Sequence, residues 1–141
     1  MDKNLNQIKA KIYDKCSLEI SDFRIETESR EYKACQFQLN GLHIICRNAK
    51  ITPKKVGQFV TCWKRNTKGI TEPYSEADRC DLYVINVQSG DNIGQFVFPK
   101  SVLIEKGIIS TDKKDGKRGF RVYPSWDTAI SAQAVKTQKW Q

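Results

Sequence analysis

Hydrolysis assisted by a metal ion needs two or three converging carboxylates. The acids that offer themselves are Glu31 and the pair Asp78 and Asp81, which flank Arg79-Cys80 where a loop meets a strand. Acids at such boundaries also serve as caps and solvated loop residues, so their positions leave both readings open. The single histidine, His43, lies in the middle of an extended run, Leu42-His43-Ile44, with no cysteine or serine nucleophile beside it. A nucleophile and its base must come within hydrogen-bond reach, and nothing in the spacing brings such a pair together. Glycine-rich phosphate loops of the GxGxxG or GxxxxGK kind are absent, and no nucleotide cofactor is expected.

Binding has more material than catalysis. The chain carries 24 Lys and Arg against 16 Asp and Glu, a formal charge of +8. The surplus is uneven. Residues 32–71 contain no acid, but hold Lys33, Arg47, Lys50, Lys54, Lys55, Lys64, Arg65 and Lys68. A second basic group, Lys113, Lys114, Lys117, Arg118 and Arg121, is diluted by Asp112 and Asp115. Clustered cations attract polyanions, and lysine and arginine position phosphate. The candidate nucleic-acid contacts are therefore Lys50, Lys54, Lys55, Lys64, Arg65, Lys117 and Arg118, with Trp63 beside Lys64 as a stacking or core residue. At least three of Lys50, Lys54, Lys55, Lys64 and Arg65 are expected on one continuous solvent-facing surface. Pairing with Glu72, Glu76, Asp78 or Asp81 is the alternative for each, and a merely solvated basic face also fits the charge.

These residues need a scaffold. Leu5, Ile8, Ile12, Tyr13 and Cys16 recur near helical spacing, which predicts an amphipathic helix over residues 4–16 with Asn4 as its cap. Residues 17–31 lack a clear period and read as loop or short helix. Ala34 to Leu39 alternates, Asn40-Gly41 is a hairpin turn, and residues 42–50 return. Further strands are expected over 57–64, 81–87, 93–98 and 119–123, with a short helix opened by Pro99 and closed by Gly107. A last helix is expected over 128–139, capped by Ser125. The whole predicts a single α+β domain over residues 1–141. Its sheet is mixed, mostly antiparallel and of about six strands, with the terminal helices lying over one apolar face.

Cys16, Cys35, Cys46, Cys62 and Cys80 are odd in number and include no CxxC, which argues against a zinc knuckle or a secreted disulfide framework and for free, mostly buried thiols. No metal is expected. No apolar stretch is long enough to span a bilayer, and the first residues lack the apolar core of a signal peptide, so a cytoplasmic location with no membrane partner is expected.

Three blocks carry a family resemblance: residues 51–65, residues 94–107 beginning Gly94-Gln95-Phe96-Val97-Phe98-Pro99-Lys100, and Arg121-Val122-Tyr123-Pro124-Ser125-Trp126 with the end Lys136-Thr137-Gln138-Lys139-Trp140. Together, in this order, they resemble the MepB family of small bacterial proteins, whose founding member is encoded beside a multidrug efflux pump. The resemblance transfers no established activity. It implies a distant likeness to nucleases of the PD-(D/E)xK type, in which Glu31 would be the helix acid, Asp81 a strand acid and Lys50 the lysine. Asn48 then stands where a carboxylate belongs, and a neutral amide is a poor ligand for a hard cation beside phosphate. Three functions follow as expectations. The first is nucleic-acid binding, to DNA or RNA, without a reaction of its own. The others are a metal-dependent nuclease or its degenerate relative, and an interaction module linked to drug-efflux regulation.

Overall fold

The computed structural model describes residues 1–141. Its largest unit is a five-stranded sheet in the order β1 (Ile20–Ile25), β2 (Cys35–Leu39), β3 (Leu42–Asn48), β8 (Leu82–Ser89), β9 (Asn92–Pro99). Every pair is antiparallel except β3 with β8. Asn40 and Gly41 both adopt positive φ, +48° and +84°, the conformation a two-residue hairpin needs to follow the strand twist. A three-stranded sheet, β10 (Gly119–Val122), β5 (Gln58–Thr61), β4 (Lys50–Ile51), and a ribbon of β6 (Trp63–Arg65) with β7 (Thr71–Pro73) complete the strands. The expected mixed, mostly antiparallel sheet with flanking helices is present, but with ten strands in three sheets rather than about six in one.

Both faces of the large sheet are buried, and this departs from the expectation of one lidded face. On one side Ile44, Cys46 and Val84 meet Leu5, Ile8 and Tyr13 of the N-terminal helical segment. On the other, Ile45, Tyr83, Ile85, Val87 and Phe98 meet Val60, Phe120 and Val122 of the small sheet and Leu103 of α2 (Lys100–Glu105). Residues of opposite parity on β3 and β8 thus feed two separate cores, as a central strand covered on both faces must. The C-terminal helix α3 (Ala132–Trp140) buries little more than Ala134 and an edge of Trp140.

The N-terminal segment corrects the expected uniform helix. Asp2, not Asn4, caps α1 (Lys3–Ile8), accepting from the Asn4 backbone N–H at 3.0 Å. A π-helical turn follows over Lys9–Tyr13 and a 3₁₀ turn over Asp14–Cys16. The wider turn suits the five-residue step from Ile8 to Tyr13. It leaves Ile12 exposed and turns Tyr13 inward, where its hydroxyl donates to Gln95 Oε1 at 2.8 Å. No helix is long and apolar enough to cross a membrane.

All five cysteines are free, four of them buried. Burial pushes the Cys62 and Cys80 thiols from ordinary values near 9 up to about 12. An unfolded chain would release those protons first, so their contribution to stability is complete below pH 9 and is lost as pH rises toward 12. The melting temperature should therefore hold through neutral pH and fall above about pH 9, and Cys62→Ala/Cys80→Ala should flatten that fall. Identical alkaline profiles for parent and double variant would contradict this assignment.

Candidate nucleic-acid interface

Antiparallel pairing of β10 with β5 sets Arg121 opposite Phe59, and β5 pairs in turn with β4. The six-residue connection from β4 to β5, residues 52–57, is thereby laid beside residue 121. Phe120 and Val122 point into the core, so Arg121, of opposite parity, points outward. Its guanidinium fastens the connection, donating to Thr52 Oγ1 and, at 3.2 Å, to the Val56 carbonyl. Lys54 takes a positive φ of +66°, and Gly57 one of +82°. A Cβ on Gly57 would stand 2.7 Å from the Tyr123 ring and 2.9 Å from the Val122 carbonyl. Gly57→Ala should therefore destabilise the fold by about 1–3 kcal/mol and shift Lys54 and Lys55, which chemical denaturation and binding assays would read together. Parent-like stability would show that the connection yields.

The facing wall is α3. Ser131 caps it, its hydroxyl accepting from Ala134 N–H at 3.1 Å, so the helix begins at Ala132 rather than near residue 128 and Ser125 plays no capping part. The far end is tied down twice. Gln138 donates to the Pro124 and Asp127 carbonyls, each at 3.0 Å. The Gln141 side-chain amide accepts from Tyr123 N–H at 2.7 Å and donates to the Arg121 carbonyl at 2.8 Å, imitating a strand on the open edge of β10. Trp140 packs against Phe98 with centroids 5.7 Å apart, and the Lys106 ammonium lies 5.4 Å from the Trp140 centroid.

Between these walls is a cleft of about 730 Å³. Lys54, Lys55, Lys106, Lys117 and Arg121 line it, and no acid does. The cations come from four places: the β4–β5 connection, the end of α2, the loop before β10, and β10 itself. Lys117 is fixed rather than carried on a loose turn. Its backbone N–H donates to the Ile108 carbonyl at 2.9 Å, and Gly116 N–H donates to Ser110 Oγ at 2.7 Å. Phe120, Ile108 and Trp140 supply apolar surface at its base. Uncompensated cations around a concavity create a field that concentrates anions.

The structure thus divides the residues named from sequence. Lys54, Lys55 and Lys117 line the cleft. The other members of the expected patch are paired elsewhere: Lys50 with Glu31 at 3.5 Å, Lys64 with Asp78 at 2.5 Å and Glu72 at 3.5 Å, Arg65 with Glu28 at 2.5 Å. Arg118 donates to the Thr71 carbonyl and lies beside Glu72 and Asp115. Trp63 is half-buried, with the Arg65 guanidinium over its ring. Lys106 and Arg121 were not among the expected contacts, although the alternation Phe120-Arg121-Val122 marks Arg121 as outward-facing.

Nor do the candidate catalytic residues gather. Glu31 meets Lys50 beyond the end of β3, whereas Asp81 accepts from the His43 backbone N–H, at 2.7 Å, near its start. Seven residue steps of largely extended chain lead from His43 to Lys50, roughly 20 Å. Asn48 is occupied within the fold, donating to Asp2 at 2.8 Å and accepting from Asn86 at 3.0 Å. No group of three or more His, Cys, Asp or Glu side chains is placed to hold a metal ion. Trp126 and Trp140, which an interaction module would expose, are both half-buried against the core.

Comparison with known proteins accords with this architecture. A solved structure described as "Crystal Structure of MepB" is 35% identical to the chain, with a TM-score of 0.85, covering 99% of this chain and 93% of that one. No curated protein matches the chain. The model of the MepB-like family matches residues 26–141, a span holding β2 to β10 and every cation of the cleft. The chain belongs to the MepB-like family.

Proposed function

We propose that the protein binds nucleic acid in the cleft between the β4–β5 connection and α3, and that it does so without a reaction of its own. The observation that carries the reading is the convergence of Lys54, Lys55, Lys106, Lys117 and Arg121 on one concavity whose lining contains no carboxylate. Elsewhere on the molecule, Arg47, Lys50, Lys64 and Arg65 of the acid-free segment are paired with acids from other segments. In the cleft no acid stands among the cations. Phosphate oxygens would supply the missing negative charge and displace bound counterions as they did so. The separation of Glu31 and Lys50 from Asp81 supports binding over cleavage.

Titrating binding against salt tests the reading. The log–log slope of affinity against salt should be about −2 to −4, as three to five phosphate contacts imply. A slope near zero, or no binding at low ionic strength, would refute it.

A further inference from the structure

The geometry points to single-stranded nucleic acid, rather than duplex, as the occupant of the cleft; this rests on the proposed binding function and narrows it. The lining is amphipathic. Tyr123 and Trp140, both half-buried, stand among the five cations over the buried Phe120, and Ile130 stands at the lip, 80% exposed. A duplex keeps its bases stacked inside and offers a protein mainly a charged outer ridge, for which an apolar lining does nothing. An unpaired strand offers phosphates and exposed base faces together, and cations interleaved with aromatic surface match that pair of features.

Size agrees. The cleft, about 730 Å³, falls in the range of roughly 300–1,000 Å³ typical of sites that enclose small molecules. One strand can lay a nucleotide or two into such a space, whereas a double helix meets only its rim. The walls also differ in how they are held. The β4–β5 connection is fastened by Arg121, while α3 is docked through Ala134, Trp140 and two glutamine side chains. Ile130 has no packing role to explain an apolar side chain at that position, and a base laid against it would bury it.

The test compares a labelled oligo-dT of about twelve nucleotides, a duplex of the same length and inorganic polyphosphate of matched charge, by anisotropy at one salt concentration. Oligo-dT should bind at least about tenfold more tightly than the other two. Ile130→Ser, at an exposed position that folding does not need, should weaken oligo-dT binding about fivefold while leaving the salt slope unchanged, because it removes an apolar contact and no phosphate contact. Duplex binding as tight as oligo-dT binding would overturn the inference and leave the nucleic-acid reading standing. So would a neutral Ile130→Ser. Polyphosphate binding as tightly as oligo-dT would reduce the cleft to a bare polyanion site. Failure of all three ligands to bind at low salt would overturn the proposed function itself.

Discussion

Replacing Lys54 and Lys55 together by alanine should lower nucleic-acid affinity by roughly ten- to a hundredfold at moderate salt. Charge-assisted hydrogen bonds contribute about 1.5–3 kcal/mol where they are made well, and exposed lysines fall at or below the lower end of that range. Both side chains line the cleft and neither takes part in an ion pair. Their loss therefore unpairs no acid and should move stability by less than about 0.5 kcal/mol. The salt slope should fall in magnitude by about 1.4 for a single strand, the signature of two lost phosphate contacts. Lys64→Ala/Arg65→Ala is the matched control. It removes the same charge from the same acid-free segment, but those head groups already meet Asp78, Glu72 and Glu28. Binding should change little, and stability should fall slightly. Equal losses from the two double variants would show that net charge, not the cleft, governs affinity.

The largest effect on stability is expected at Glu26. Arg47 is 2% exposed, and its guanidinium donates to Glu26, to the Cys46 carbonyl at 3.0 Å and to the Tyr74 hydroxyl at 3.2 Å. Arg47 Nε has no partner, so the site is already one acceptor short. Removing the one carboxylate leaves a buried cation without a counter-charge, a change that costs about 3–5 kcal/mol in comparable sites. Glu26 keeps some exposure, which places Glu26→Ala near the lower end, about 3 kcal/mol, or a fall of about 10 °C in melting temperature for a chain of this length. Arg47→Met combined with Glu26→Leu should recover most of it, because the pair is then replaced rather than broken. Urea denaturation measures both. A loss below about 1 kcal/mol in Glu26→Ala would mean that water reaches the guanidinium.

Glu26 also shows why the site was only half legible. Its segment has no strong period because β1 is an edge strand with a bulge. Asp22 adopts a φ of +51°, and the pairing with β2 slips between Ser21 and Arg24. The alternation that reveals β2, β8 and β9 never forms there, so β1 reads as loop. That same stretch and the turn after it supply Glu26, Glu28 and Glu31, the acids that neutralise Arg47, Arg65 and Lys50. A count of charges along the chain finds residues 32–71 free of acid but cannot see that the fold lays residues 26–31 against them. The hairpin at Asn40-Gly41 was legible because its signal is local. The cleft was not, because it depends on β10 pairing with β5 across about sixty residues of chain. Lys54, Lys55 and Lys117 were found by composition. Arg121 stands in the second basic group but joins the site only through the pairing, and Lys106 only through the packing of the α2 end beside Trp140.

The most direct measurement is a map of amide chemical-shift changes as oligo-dT is titrated into the isotope-labelled protein. The changes should concentrate at residues 54–57, 106–108, 117–123 and 130–140, the segments that form the cleft. Amides around Lys50, Lys64 and Arg65, whose charges are already met within the fold, should move little. Changes centred on β6 and the 30–33 turn, with the cleft silent, would contradict the assignment of the binding surface.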